Sequence, residues 1–116
     1  MKKMKLGTSE HIAGFIMSKL YHHGCWQKRG KPPRKHHSIT NIKKGYPKSH
    51  RGKFTKILKQ LQRKGLINMF PHTGNGEHHV CAILERDILP RGIEIANKWR
   101  VSEGLPPWSN EFDELL

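Results

Sequence analysis

Charge is segregated along this chain so strongly that it limits the folds the sequence can adopt. Of the 22 Lys and Arg residues, 18 lie in residues 1–64, where Glu10 is the only carboxylate, so that stretch carries a formal +17. The remainder sets four cations (Arg86, Arg91, Lys98, Arg100) against eight acids from Glu77 to Glu114, a formal −4, and the whole chain is +13. Ion pairs within the first half cannot neutralise it. Its cations must stay outside the core, and like charges crowded on a small surface destabilise the compact state unless something negative lies against them. The commonest such partner is a polyphosphate backbone, which makes nucleic acid the expected ligand.

A chain of 116 residues with 34% hydrophobic residues and a mean hydropathy of −0.74 suits one domain with a modest core. A folded domain is expected over residues 8–101, with a basic tail at 1–7 and an acidic, loosely attached tail at 102–116. No apolar run approaches the roughly 20 residues of a membrane helix, and Met1–Gly7 lacks the apolar stretch of a secretory signal. A soluble, cytoplasmic protein with no membrane partner is expected. Cys25 and Cys81 are too few for a disulfide framework, and such a setting keeps them reduced.

Punctuation divides the chain. Thr8 and Ser9 are candidate caps for a first helix whose apolar residues Ile12, Phe15, Ile16 and Leu20 recur at helical spacing before Gly24. From Gln27 to His37 the string QKRGKPPRKHH holds two prolines, a glycine and five Lys or Arg residues without periodicity, the pattern of an exposed arm. Ser38 can cap a short second helix with Ile39 and Ile42 inward, ended by Gly45. A third helix is predicted from Lys48 or Ser49, with Phe54, Ile57, Leu58 and Leu61 on one face and Gly65 after it. The period then switches: Leu66–Phe70 and Glu77–Ile83 read as a hairpin around the turn-rich PHTGNG. Pro90 suits the first turn of a last helix.

The segments KILKQLQRKGLINMF, the Gly-Asn-Gly tip, EHHVCAIL and LPRGIEIANKW together resemble the winged helix-turn-helix superfamily. Leu61, Gly65, Leu66, Ile67, Leu89 and Gly92 hold its key positions, over roughly residues 8–101. The resemblance implies an α+β fold: three helices, a β-hairpin wing and an additional C-terminal helix. The superfamily includes transcription regulators and also ribosomal proteins. The basic loop between the first two helices is longer than the usual connection, which leaves room for a small strand or a second binding element there.

At about 100° per residue, the face of the third helix opposite its apolar stripe carries Lys48, Ser49, Gly52, Thr55, Lys56, Lys59 and Arg63. In helix-turn-helix proteins the start of the recognition helix reaches base edges while flanking cations hold phosphates. Ser49, His50, Arg51 and Thr55 are therefore the candidate groove readers, and Lys43, Lys44, Lys48, Lys53, Lys56, Lys59 and Arg63 the candidate phosphate contacts. In an average protein such a face is simply solvated; the +17 field favours function here. Asn75, with His72, Thr73 and His78 around the glycines, is a candidate wing contact. Lys28, Arg29, Lys31, Arg34 and Lys35 form a candidate arm along a backbone. If six to ten of these cations meet phosphates, log affinity for duplex DNA falls with log salt at a slope of about −5 to −9.

Nine histidines, three pairs of them adjacent, sit near two cysteines, yet no C-x-x-C or H-x-x-x-H spacing is present, so no metal or other cofactor is assigned. The histidines are expected to extend the basic surface and to gain charge toward pH 6. Catalysis is not expected, because the acids show no motif spacing and no phosphate-binding glycine loop precedes a helix. Duplex DNA binding by a small transcription regulator or architectural protein leads. A ribosome-associated or RNA-binding winged helix and a protein-interaction module anchored by Trp99, Trp108 and Phe112 are the alternatives. Ile95 and Trp99 are the candidate seam of a homodimer.

Overall fold

The computed structural model describes residues 3–71 and 78–116. In chain order the elements are α1 (Ser9–His22), β1 (Trp26–Gln27), β2 (His37–Ser38), α2 (Ile39–Lys44), a 3₁₀ turn (Lys48–His50), α3 (Phe54–Arg63), β3 (Ile67–Pro71), β4 (His78–Ile83), α4 (Leu89–Ser102) and a second 3₁₀ turn (Asp113–Leu115). The architecture is α+β, four helices on a small mixed sheet. No helix of the described residues is long and apolar enough to cross a membrane.

Local chemistry sets the helix ends. Thr8 caps α1 by accepting a hydrogen bond from the His11 amide at 3.3 Å, and Ser38 caps α2 by accepting from Asn41 at 3.4 Å. Gly24, at φ +71°, turns the chain out of α1, with Gly24 N donating to Tyr21 O and Cys25 N to Leu20 O. Ile12, Phe15, Ile16 and Leu20 of α1 pack with Phe54, Ile57, Leu58 and Leu61 of α3, with Val80 and Ala82 of β4, and with Ala96 of α4. Each such large apolar side chain contributes about 1.5–3 kcal/mol when fully buried. Helices α1 and α4 meet most closely through glycine: a Cβ on Gly14 would overlap the Trp99 Cβ, and one on Gly92 would overlap the Tyr21 hydroxyl. Both positions need the missing side chain so that the helices can approach.

Strand β4 is the centre of the sheet. β3 pairs with it antiparallel along one edge, Asn68 opposite Cys81 and Phe70 opposite His79. The other edge is shared by β1, parallel at Ala82 and Ile83, and β2, antiparallel at Val80 and His79. The hairpin therefore belongs to a larger sheet, and Val80, Cys81 and Ala82 are all buried. The expected arm is an excursion, residues 28–36, whose two ends both return to β4.

Two expectations change. The third helix begins at Phe54 rather than at Lys48 or Ser49, because Pro47 and Gly52 interrupt the helical pattern and Lys48–His50 closes a separate turn. The acidic C-terminal tail is docked, not loose. The Trp108 amide donates to Asn97 Oδ1 at 2.8 Å, and Asn97 Nδ2 donates to Trp108 O at 2.7 Å. The Arg100 guanidinium lies 3.9 Å from the Trp108 ring centroid, and Phe112 packs among Tyr21, Trp26 and Trp108. The basic N-terminal tail is likewise held, with Met4 N donating to Ser102 Oγ at 2.7 Å and Gly7 N to Tyr46 Oη at 2.8 Å.

Candidate nucleic-acid interface

α3 presents its cations because the opposite face is anchored. Phe54, Ile57, Leu58 and Leu61 are buried, which leaves Thr55, Lys56, Lys59, Gln62 and Arg63 exposed on the outer side. The ion pairs found among the described residues join Lys3 and His11 to Glu103, Arg29 to Asp87, and Arg91 and Lys98 to Glu94. None of them involves α3. Lys43 and Lys44 end α2 beside this helix in sequence, and Lys48, Ser49, His50 and Lys53 lie exposed in the connection.

Arg51 has a different job from the one its position suggests. Its Nε donates to Tyr46 O at 2.8 Å and its Nη2 to Lys44 O at 3.0 Å, so the guanidinium braces the corner between α2 and α3 instead of reaching outward. The brace continues inward. Tyr46 is buried and its hydroxyl pairs with His11 Nδ1 at 2.8 Å, while His11 Nε2 meets Glu103 Oε1 at 3.1 Å. This polar chain runs from the turn before α3, through the start of α1, to the end of α4. Sequence reasoning misses it: the expectation places His11 with the basic-surface histidines, yet it is 2% exposed. The i, i+4 spacing of His11 with the apolar residue Phe15 was the available signal for burial.

The arm has another environment. The Arg29 amide donates to Glu85 Oε1, and its guanidinium lies 3.6 Å from Asp87. Arg34 covers the Trp26 ring at 5.2 Å and donates to Gly24 O at 3.2 Å. Lys28, Lys31 and Lys35 are exposed. The arm leaves the sheet from the β1/β2 edge of β4, whereas β3, which follows α3, occupies the other. Where the arm returns, His36 Nδ1 and His79 Nδ1 are 2.6 Å apart, and His23 lies with its ring centroid 5.7 Å from that of His37. Desolvation, followed by the nearby His22, His37, Lys19 and Lys35, holds His23 below the usual imidazole range.

Asn75, with His72, Thr73 and both glycines of the hairpin tip, lies outside the described residues. Ile95 and Trp99, expected at a dimer seam, are engaged within the chain. Trp99 packs edge-on against Phe15 at 5.8 Å and His11 at 6.2 Å, and both residues back the core. Trp108 and Phe112 are similarly occupied by Tyr21 and Trp26. Cys25 and Cys81 are buried free thiols, and burial pushes the Cys81 thiol up to about 11, which disfavours the thiolate that metals bind. Among the described residues no three His, Cys, Asp or Glu side chains converge on a metal position. Comparisons with protein-family models, with curated proteins and with solved structures find no match to this chain.

Proposed function

We propose that the protein is a winged helix-turn-helix that binds duplex nucleic acid, DNA ahead of RNA, with α3 as the helix that enters the groove. The observation that carries this reading is the outer face of α3. Lys56, Lys59 and Arg63 project from a helix anchored by four buried side chains, and no acid among the described residues pairs with them. A cationic helix held rigidly and left without counter-charge suits a phosphate backbone. Lys43, Lys44, Lys48 and Lys53 extend the field toward the helix start, where Thr55 is the exposed side chain suited to a base edge. Lysine acts as a point charge rather than a bidentate reader, so binding is stronger than it is selective, as befits an architectural protein or a regulator of modest specificity.

The test is a titration of random duplex DNA, single-stranded DNA and a structured RNA, each at two salt concentrations. Preference for duplex DNA with a slope steeper than about −4 supports the reading. Preference for structured RNA moves the protein to an RNA-binding winged helix, and a slope shallower than about −2 removes the broad phosphate interface.

A further inference from the structure

The arm and the docked tail border an open cleft of about 400 Å³. Trp26 forms its aromatic wall, fixed by pairing with Ala82 and by the edge-on Phe112 ring at 5.8 Å. Arg34, whose amide donates to Trp26 O at 2.9 Å, rests its guanidinium on that indole. Lys28 and Lys31 line the cleft as exposed cations, and Leu84 and Leu115 supply apolar surface.

We propose that this cleft takes one unpaired nucleotide of a nucleic-acid strand. Guanidinium planes stack on aromatic rings, so Arg34 on Trp26 offers a platform for a second flat ring, the base. Lys28 and Lys31 supply the charge for the adjoining phosphates. Glu114, the one carboxylate in the lining, is an acceptor for an exocyclic amine or a sugar hydroxyl. The volume lies near the lower end of small-ligand sites, roughly 300–1,000 Å³, which suits one nucleotide. The platform is preformed because strands pin the arm at both ends. This inference does not rest on the α3 reading, since the arm springs from a different edge of the sheet.

The test is fluorescence anisotropy with a labelled thymidine hexanucleotide, performed on the full chain carrying Lys56→Ala, Lys59→Ala and Arg63→Ala to suppress binding by α3. Into that parent Arg34→Lys is added, which keeps the charge and removes the stacking plane, with circular dichroism confirming an unchanged fold. Arg34→Lys is expected to weaken hexanucleotide binding about tenfold. A hexanucleotide lacking its bases should bind the parent as weakly as the normal one binds the Arg34→Lys variant. Equal binding by parent and Arg34→Lys protein, or equal binding of the base-free strand to the parent, would overturn the proposal. Competition by thymidine 5′-monophosphate at the strand's own concentration would also overturn it, by reassigning the cleft to a free nucleotide. Arg34→Lys in the otherwise unaltered chain should leave duplex affinity within about twofold, so failure here and failure of the α3 reading are separable.

Discussion

Residues 28–35 and residues 53–64 carry five Lys or Arg side chains each, yet the fold treats the two groups differently. In the arm, Arg29 is set against Asp87 and Glu85, and Arg34 is laid on Trp26. On α3, Lys56, Lys59 and Arg63 stand on a helix bolted to the core and meet no acid among the described residues. Cation density alone therefore does not mark the proposed duplex-binding face. What distinguishes α3 is rigidity together with the absence of ion pairs to any acid among the described residues, because an uncompensated and preorganised charge array gains most from an external polyanion.

The sharpest way to break this contrast is to exchange the losses. Lys56→Ala, Lys59→Ala and Arg63→Ala together should weaken random-duplex binding on the order of 100-fold near 0.1 M salt and flatten the log–log salt slope by about 3. Lys28→Ala, Lys31→Ala and Lys35→Ala together should cost less than about threefold by the same anisotropy titration. Equal losses would erase the distinction.

Arg51 sharpens it in another way. Because its guanidinium serves two backbone carbonyls, Arg51→Ala should lower unfolding free energy by about 1–3 kcal/mol in urea titrations. It should weaken binding alike on all duplex sequences. A stable variant with relaxed preference at one base position would return Arg51 to the groove.

The histidine patch at the return of the arm gives a smaller, signed effect. His23 is held below its usual range, chiefly by desolvation and then by its cationic neighbours. The folded chain thus binds fewer protons there than the unfolded chain, and the stability this contributes above pH 6.5 is lost as pH falls below it. Because this patch lies at the arm rather than on α3, duplex affinity at fixed salt should change by less than about twofold from pH 8 to about pH 6 while the free protein loses stability. Urea unfolding and anisotropy at both pH values check the two outcomes. Smallest of all, Arg29→Ala should change stability by less than about 1 kcal/mol and duplex affinity by less than about twofold, since its ion pair with Asp87 is solvent-exposed on both sides.

Much of this was legible in the chain itself. Thr8, Ser38 and Pro90 mark helix starts, and the 54, 57, 58, 61 stripe identifies the buried face of α3, because caps and periodicity are local physics. The start of α3 was less legible: Lys48 and Ser49 precede the apolar stripe without a breaker beyond Gly52, and the 3₁₀ turn at Lys48–His50 with the Arg51 bonds to Lys44 and Tyr46 reveals the corner. β1 and β2 span two residues each, too short to display a period, so a split sheet edge read as a basic arm. The docking of Trp108 and Phe112 depends on Asn97, Tyr21 and Trp26, partners far away in sequence that no local pattern signals.

The most direct test of the contrast is amide chemical-shift mapping of the full chain on titration with a short random duplex at about 0.1 M salt. The largest changes should fall on Lys53 to Arg63, with residues 28–35 nearly still. Dominant changes across residues 28–35 with α3 unmoved would contradict the assignment of α3 as the duplex-binding face.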